Sequence, residues 1–394
     1  MPVPRYKTTR WPALFSMGFR PFFLCAGLWA AGAMVLWLFA LWRGSTLLTL
    51  WAPSDWHAHE MLFGFVVAAI AGFLLTAIPN WTGRLPLQGM PLAGLVLLWC
   101  GGRIAMGFSA WIGAAAAAVI DTAFLAVLFA VVLREVLAGR NWRNLPVVAA
   151  ILLLLAANAL VHMGVLTDRP SIATGFRLAV AVIVMLVSLI GGRVVPSFTG
   201  NWLRKAGAAQ LPAPFGVFDK LVLTWSGLAL AGWVVLPEAR LVALGVGIAG
   251  VLHGARLARW GGLRTGAEPL VWVLHLGYGW LALGLVLLAA GSLWPALGAS
   301  AAMHALTTGA MGTMILAIMT RATLGHTGRV LAADAATVAA YLLISLAAVL
   351  RVGSGLSGFP FEMQIAAGLC WGAAFVLFLL RYGPMYVVAA RTAT

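Results

Sequence analysis

Runs of about 20 apolar residues recur along the whole chain, and each is long enough to cross the ~30 Å hydrocarbon core of a bilayer as a helix. They fall near 19–43, 56–79, 91–109, 112–137, 144–166, 173–196, 216–236, 239–260, 269–291, 298–320, 332–351 and 361–389. In lipid each backbone polar group must be satisfied within the span, which a helix does by itself. The pattern therefore predicts an all-α, polytopic membrane protein of about twelve transmembrane helices. Of 394 residues, 63% are hydrophobic and only 9% charged, against roughly 45–50% and 25% in a soluble domain. The connections are short, so 1–394 reads as a single integral membrane domain. The first run exceeds the apolar core of a signal peptide and lacks a well-placed cleavage site, so it is expected to remain as a helix.

The net charge of +15 does not point to nucleic acid. The basic residues are scattered singly through the loops rather than gathered on one face. Of the 25 Lys and Arg, 19 fall at the two ends and in the even-to-odd loops, among them Arg5, Lys7, Arg10 and Arg20, and 6 fall on the opposite side. This bias predicts cytoplasmic N- and C-termini.

The chain also repeats itself. The second segment with its exit reads WHAHEMLFGFVVAAIAGFLLTAIPNWTGR (56–84), and the tenth reads AAMHALTTGAMGTMILAIMTRATLGHTGR (301–329). A shift of 245 positions superposes His59 on His304, Gly64 on Gly309, and Thr82-Gly83-Arg84 on Thr327-Gly328-Arg329. The sixth segment joins through Pro196-Ser197-Phe198-Thr199-Gly200, which resembles Pro79-Asn80-Trp81-Thr82-Gly83. Segments four apart in a set of twelve suggest three four-helix pseudo-repeats, 19–137, 144–260 and 269–389.

Histidine carries the chemistry. On the predicted topology His57, His59, His162 and His304 lie in the outer half of the membrane. His253, His275 and His326, the last in the loop after the tenth segment, lie in the inner half. An intramembrane imidazole serves either a helix–helix hydrogen bond or a cofactor. Two histidines at equal depth on repeat-equivalent helices, His59 and His304, suit bis-imidazole ligation of a b-type haem. Gly64 and Gly309, five residues on, would leave room for the flat macrocycle. Glu60 either orients an imidazole or carries a helix N-terminal charge. His57 stands ~200° of helical rotation from His59, so it should serve another site, bond a loop, or lie outside the first turn. His57 and His162 are the outer-side candidates for copper, with Met163 and Met303 as soft ligands. His275 and His326 complete the metal-ligand candidates.

Arg20, Arg84, Arg103, Arg177, Arg193, Arg321 and Arg329 lie near helix ends, as topology determinants or snorkelling side chains. Arg177 is the best placed to pair a haem propionate. Asp121 and Asn158 are intramembrane polar groups without an evident partner. Cys25, Cys100 and Cys370 form no CxxC pair and read as structural thiols, with copper ligation as the alternative.

FRPFFL (19–24), WHAHEMLFGF (56–65), TAIPNWTGRLPLQGMPL (76–92), HLGYGW (275–280) and LAIMTRATLGHTGR (316–329) resemble the NnrS family over nearly the whole chain. The resemblance implies a haem- and copper-containing protein of the bacterial inner membrane, linked to nitric oxide metabolism, denitrification and nitrosative stress. It marks His57, His59, His275, His304 and His326 as motif positions but supplies no reaction. A haem-dependent oxidoreductase is one option, with the electron donor or partner subunit unspecified. A weaker, architectural likeness is to the haem–copper oxidase catalytic subunit, whose second and tenth helices carry haem ligands. This chain departs from it in having no histidine in the sixth or seventh segment. Two other functions fit the same pattern: a secondary transporter with intramembrane histidines, and a membrane scaffold for a denitrification complex.

Overall fold

A computed structural model describes residues 11–44, 49–167, 170–294, 298–355 and 360–389. Arg5, Lys7 and Arg10, which weigh in the orientation, lie outside these residues. The described chain is helical, with twelve helices long and apolar enough to span a membrane. They are α1 (Phe19–Arg43), α2 (Pro53–Thr82), α3 (Met90–Gly107), α4 (Ala114–Ala138), α5 (Leu145–Leu166), α6 (Pro170–Lys205), α7 (Val217–Val235), α8 (Arg240–Ala258), α9 (Pro269–Leu293), α10 (Ala299–His326), α11 (Ala335–Gly353) and α12 (Pro360–Val387).

Two ends differ from the sequence reading for one reason. α6 runs 36 residues, through Pro196, where a stop was expected. α10 reaches His326, which therefore ends a helix and does not sit in the loop. Helix breakers and polar termini end a helix less sharply when neighbouring helices bury its backbone.

The described residues pack as two compact units. The first gathers those up to Ala179 with Thr323–Arg329 and those from Leu379; the second holds Val180–Ala322 and Val330–Phe378. The division cuts α6, α10 and α12.

In the first unit α2 is the central helix, with Phe63, Phe65, Val67, Ala68 and Leu74 all buried. Arg20 of α1 is 1% exposed. Its guanidinium donates to the carbonyls of Met385, Tyr386 and Val388, capping the end of α12. This is a structural task the sequence reading had left as topology or snorkelling.

The repeat match between α2 and α10 extends to backbone conformation. α2 widens into π-helical turns over Glu60–Val66, and α10 does so over Ala305–Gly312. Both start on the residue after the matched histidine. Both exits turn through a left-handed glycine, Gly83 at φ 72° and Gly328 at φ 68°, a conformation that residues with a Cβ seldom adopt. π-Helical turns are rare and occur frequently at functional sites.

A buried histidine–carboxylate cluster as candidate metal centre

The first unit holds an ionic cluster built from four helices. Pro53 opens α2, which puts His59 and Glu60 two turns inside it. Arg103 lies one turn from the end of α3, and Asp121 two turns from the start of α4. Asn158 and His162 share one face of α5 at i, i+4 spacing. Because consecutive helices alternate in direction, all of these fall at the same end of the bundle.

Burial is nearly complete: His59 and Glu60 are 0% exposed, Asp121 2%, His162 3% and Arg103 5%. Asp121 Oδ2 is the hub. It lies 3.2 Å from His59 Nε2 and 3.0 Å from His162 Nε2, and accepts from Asn158 Nδ2 at 2.8 Å. Arg103 joins the two acids, donating to Glu60 Oε2 at 2.8 Å and to Asp121 Oδ1. His59 Nδ1 faces Glu60 Oε1 at 3.0 Å, and its Nε2 also faces Asn158 Oδ1 at 3.0 Å. Trp51, in the connection ahead of α2, closes the cluster with its ring 5.0 Å from His59 and 5.3 Å from His162. Ser109 Oγ holds that connection, accepting from the Leu50 amide and pairing with the Thr49 hydroxyl.

Charge decides what the cluster can hold. With both acids ionised, Arg103 offsets one of the two negative charges, and the other falls to His59, whose two ring nitrogens both face carboxylate oxygens, or to a bound cation. An uncompensated buried charge costs several kcal/mol. A proton on an imidazole or a metal cation would supply the balance. The donor set fits a metal: one ligand atom each from His59, Asp121 and His162 lie within 4.8 Å of one another. Bonds of ~2.1 Å set ligand–ligand edges of about 3.0 Å in an octahedron and ~3.4 Å in a tetrahedron. The two imidazole–carboxylate separations match such edges. Two histidines and a carboxylate suit a first-row transition metal, as in non-haem iron sites, and Glu60 is placed to orient His59 from behind.

The other sequence candidates lie elsewhere. His57 stacks on Trp37 at 4.4 Å and 17°, on the far side of α2 from His59 as the rotation predicted. Met163 is exposed. Arg177 donates to Thr174 one turn back, and His326 packs against Phe19. In the second unit His275 Nε2 pairs with Thr199 Oγ1 at 2.8 Å. His304 Nδ1 is 2.8 Å from the Ser300 carbonyl, an arrangement that makes Nδ1 the donor and leaves Nε2 with no protein partner among the described residues.

The room expected beside the two glycines is taken. A Cβ on Gly64 would stand 2.6 Å from Trp29 Nε1 and 2.7 Å from Arg103 Nη1, and one on Gly309 would stand 2.7 Å from Trp280. Both imidazole nitrogens of His59 are committed to the cluster. His59 Nε2 is already bonded to Asp121 and Asn158, so ligation of a haem iron or of a metal ion by His59 would replace those contacts, whereas His304 Nε2 is unengaged among the described residues.

The second unit holds its own buried network, which sequence reasoning had not assembled. Arg256 donates to Asp219 Oδ1 at 2.7 Å, to the Ser188 carbonyl and to Tyr278 Oη. Tyr278 in turn donates to His253 Nδ1 at 2.8 Å, whose Nε2 reaches Ser226 at 3.0 Å. His253, Arg256, Tyr278, Ser188 and Ser226 are all 0% exposed, so this network ties α6 to α9 together.

Fold and cluster define an integral, multi-pass helical membrane protein with metal-ligand side chains sealed in one end of a bundle. The family model described as NnrS protein matches residues 13–389, and the chain belongs to the NnrS family. No curated protein matches it.

The closure over the cluster makes a testable difference. Replacing Trp51 with Ala should leave the ligands in place and open them to water. If protein given iron(II) or copper(II) takes up an ion there, its release to a chelator is expected to accelerate at least ~10-fold, because the hydrophobic shell of a site controls solvent access. An unchanged release rate would show that Trp51 does not gate the cluster.

Proposed function

We propose that this NnrS-family chain is a metalloprotein of the bacterial inner membrane that binds, senses or turns over nitric oxide or its iron-nitrosyl products. The observation that carries the reading is the sealed His59–Asp121–His162 set, whose ligand atoms lie within 4.8 Å of one another, close enough to share one transition-metal ion, iron or copper. A bound ion there would supply a Lewis-acidic and redox-capable centre for a small ligand. Asp121 and the two imidazoles hold the ion. Arg103 orients both acids through its two contacts. Trp51 and Phe63, each within 5.0 Å of the His59 ring, keep bulk water out. The family resemblance adds a b-type haem, which His304 would hold through Nε2.

The deciding experiment quantifies iron and copper per chain in detergent-purified protein and records oxidised, dithionite-reduced and nitric oxide-treated spectra. His162→Ala should lose the non-haem ion and keep any Soret band, whereas His304→Ala should lose the Soret band and keep the ion. Protein from metal- and haem-sufficient cells that contains neither would sink the reading.

A further inference from the structure

At the opposite end of the first unit from the metal-ligand cluster, α2 and α4 enclose a cavity of ≈ 430 Å³. Its volume is in the range of small-molecule sites, and its two sides differ sharply. Leu75, Ile78 and Val131 form an apolar wall running into the membrane span. The rim is ionic. Gly83, in its left-handed turn, directs the chain so that Arg84 comes back over α4, where its Nε meets Glu135 Oε2 at 2.5 Å. Arg134 takes the other carboxylate oxygen, with Nη2 at 2.7 Å.

Two guanidiniums thus share one acid, leaving a surplus positive charge. Both nitrogens at the tip of Arg84 and Nη1 of Arg134 have no protein partner among the described residues. The Arg84 and Arg134 side chains are 43% and 63% exposed. The connection after α4 adds exposed Arg140 and Arg143 with no acid between them. Exposed Trp142 is of the residue type that sits at a membrane–water interface.

We infer that this cavity is a binding site for one anionic glycerophospholipid. An acyl chain lies along the Leu75–Ile78–Val131 wall, and the phosphate takes the outward nitrogens of Arg84 and Arg134. Charge complementarity selects this occupant over a neutral one, since basic pockets between membrane helices recognise anionic head groups and guanidinium pairs phosphate in bidentate fashion.

Native mass spectrometry of the full-length protein, delipidated in detergent and then given phosphatidylglycerol or phosphatidylcholine, tests the site. One phosphatidylglycerol should be retained per chain, at least 10-fold more readily than phosphatidylcholine. Arg84→Ala with Arg134→Ala should abolish that preference; it also leaves Glu135, 12% exposed, without its partners, so adding Glu135→Gln should recover any lost unfolding temperature without recovering the preference. Glu135→Gln, which releases both guanidiniums, should strengthen retention severalfold. Val131→Trp should lose the lipid while keeping both arginines. Equal retention of the two lipids, an unchanged preference in the double variant, displacement by inorganic phosphate alone, or retention of a neutral quinone in place of the phospholipid would each overturn the assignment.

Discussion

Replacing Arg103 with Met is expected to destabilise the metal-free protein by about 3–5 kcal/mol, the range for removing one partner of a buried charge pair. The substitution strips Glu60 and Asp121 of their shared counter-ion and leaves two carboxylates that are 0% and 2% exposed. The cluster then loses one of the positive charges that offset its two acids. A divalent cation that binds the folded state stabilises it by RT ln(1 + [L]/Kd), about 2.7 kcal/mol at 100 times Kd. Added metal should therefore recover much of the loss in Arg103→Met, and recover little in a variant that also carries His162→Ala. The measurement is an unfolding titration in mixed detergent micelles with and without added iron(II) or copper(II). A variant as stable as the parent without metal would show that the two acids are not both ionised. A loss that metal does not relieve in either background would remove the cation from the account.

The second large effect lies in the other unit and should be independent of metal. Asp219→Asn takes the charged partner from Arg256, which is 0% exposed and otherwise bonded to a carbonyl and a phenol. A cost of about 3–5 kcal/mol is expected, with metal content unchanged. The compensating pair Asp219→Leu with Arg256→Met should restore most of it, since well-packed apolar replacements of a buried ion pair are often neutral or better. The full double-mutant cycle isolates the coupling. Restoration would define the pair as structural. A stable double variant that loses the nitric oxide binding proposed for the parent would give the pair a functional role.

Much of the fold was legible before any coordinates. α1 begins and ends where the apolar run does, and α9 and α11 differ from their predicted spans by a few residues. The α2/α10 match, read from a shift of 245 positions, reappears as paired π-helical turns and paired left-handed glycines. The cluster was legible only in part. His59 and His162 were both named as ligand candidates, but for different sites, and Glu60 was allowed as an orienting acid. Asp121 and Arg103, its hub and its counter-ion, were set aside as an unpartnered polar group and a helix-end charge. A signal was present: Asp121 lies two turns into its span and His162 one turn before the end of the next, so antiparallel packing puts them at one depth.

Length and hydropathy determined that this chain crosses a membrane about twelve times, because crossing depends on one coordinate, depth along the normal, and sequence position converts to depth at 1.5 Å per residue. The rotation of each helix about its own axis is a different quantity. It is set by which side chains interlock between helices distant in sequence, and a weakly amphipathic membrane helix carries little record of it. Only the tertiary structure decided that His59 turns toward Asp121 and Arg103, that Gly64 receives Trp29 and Arg103 against its backbone, and that His304 keeps one nitrogen unengaged.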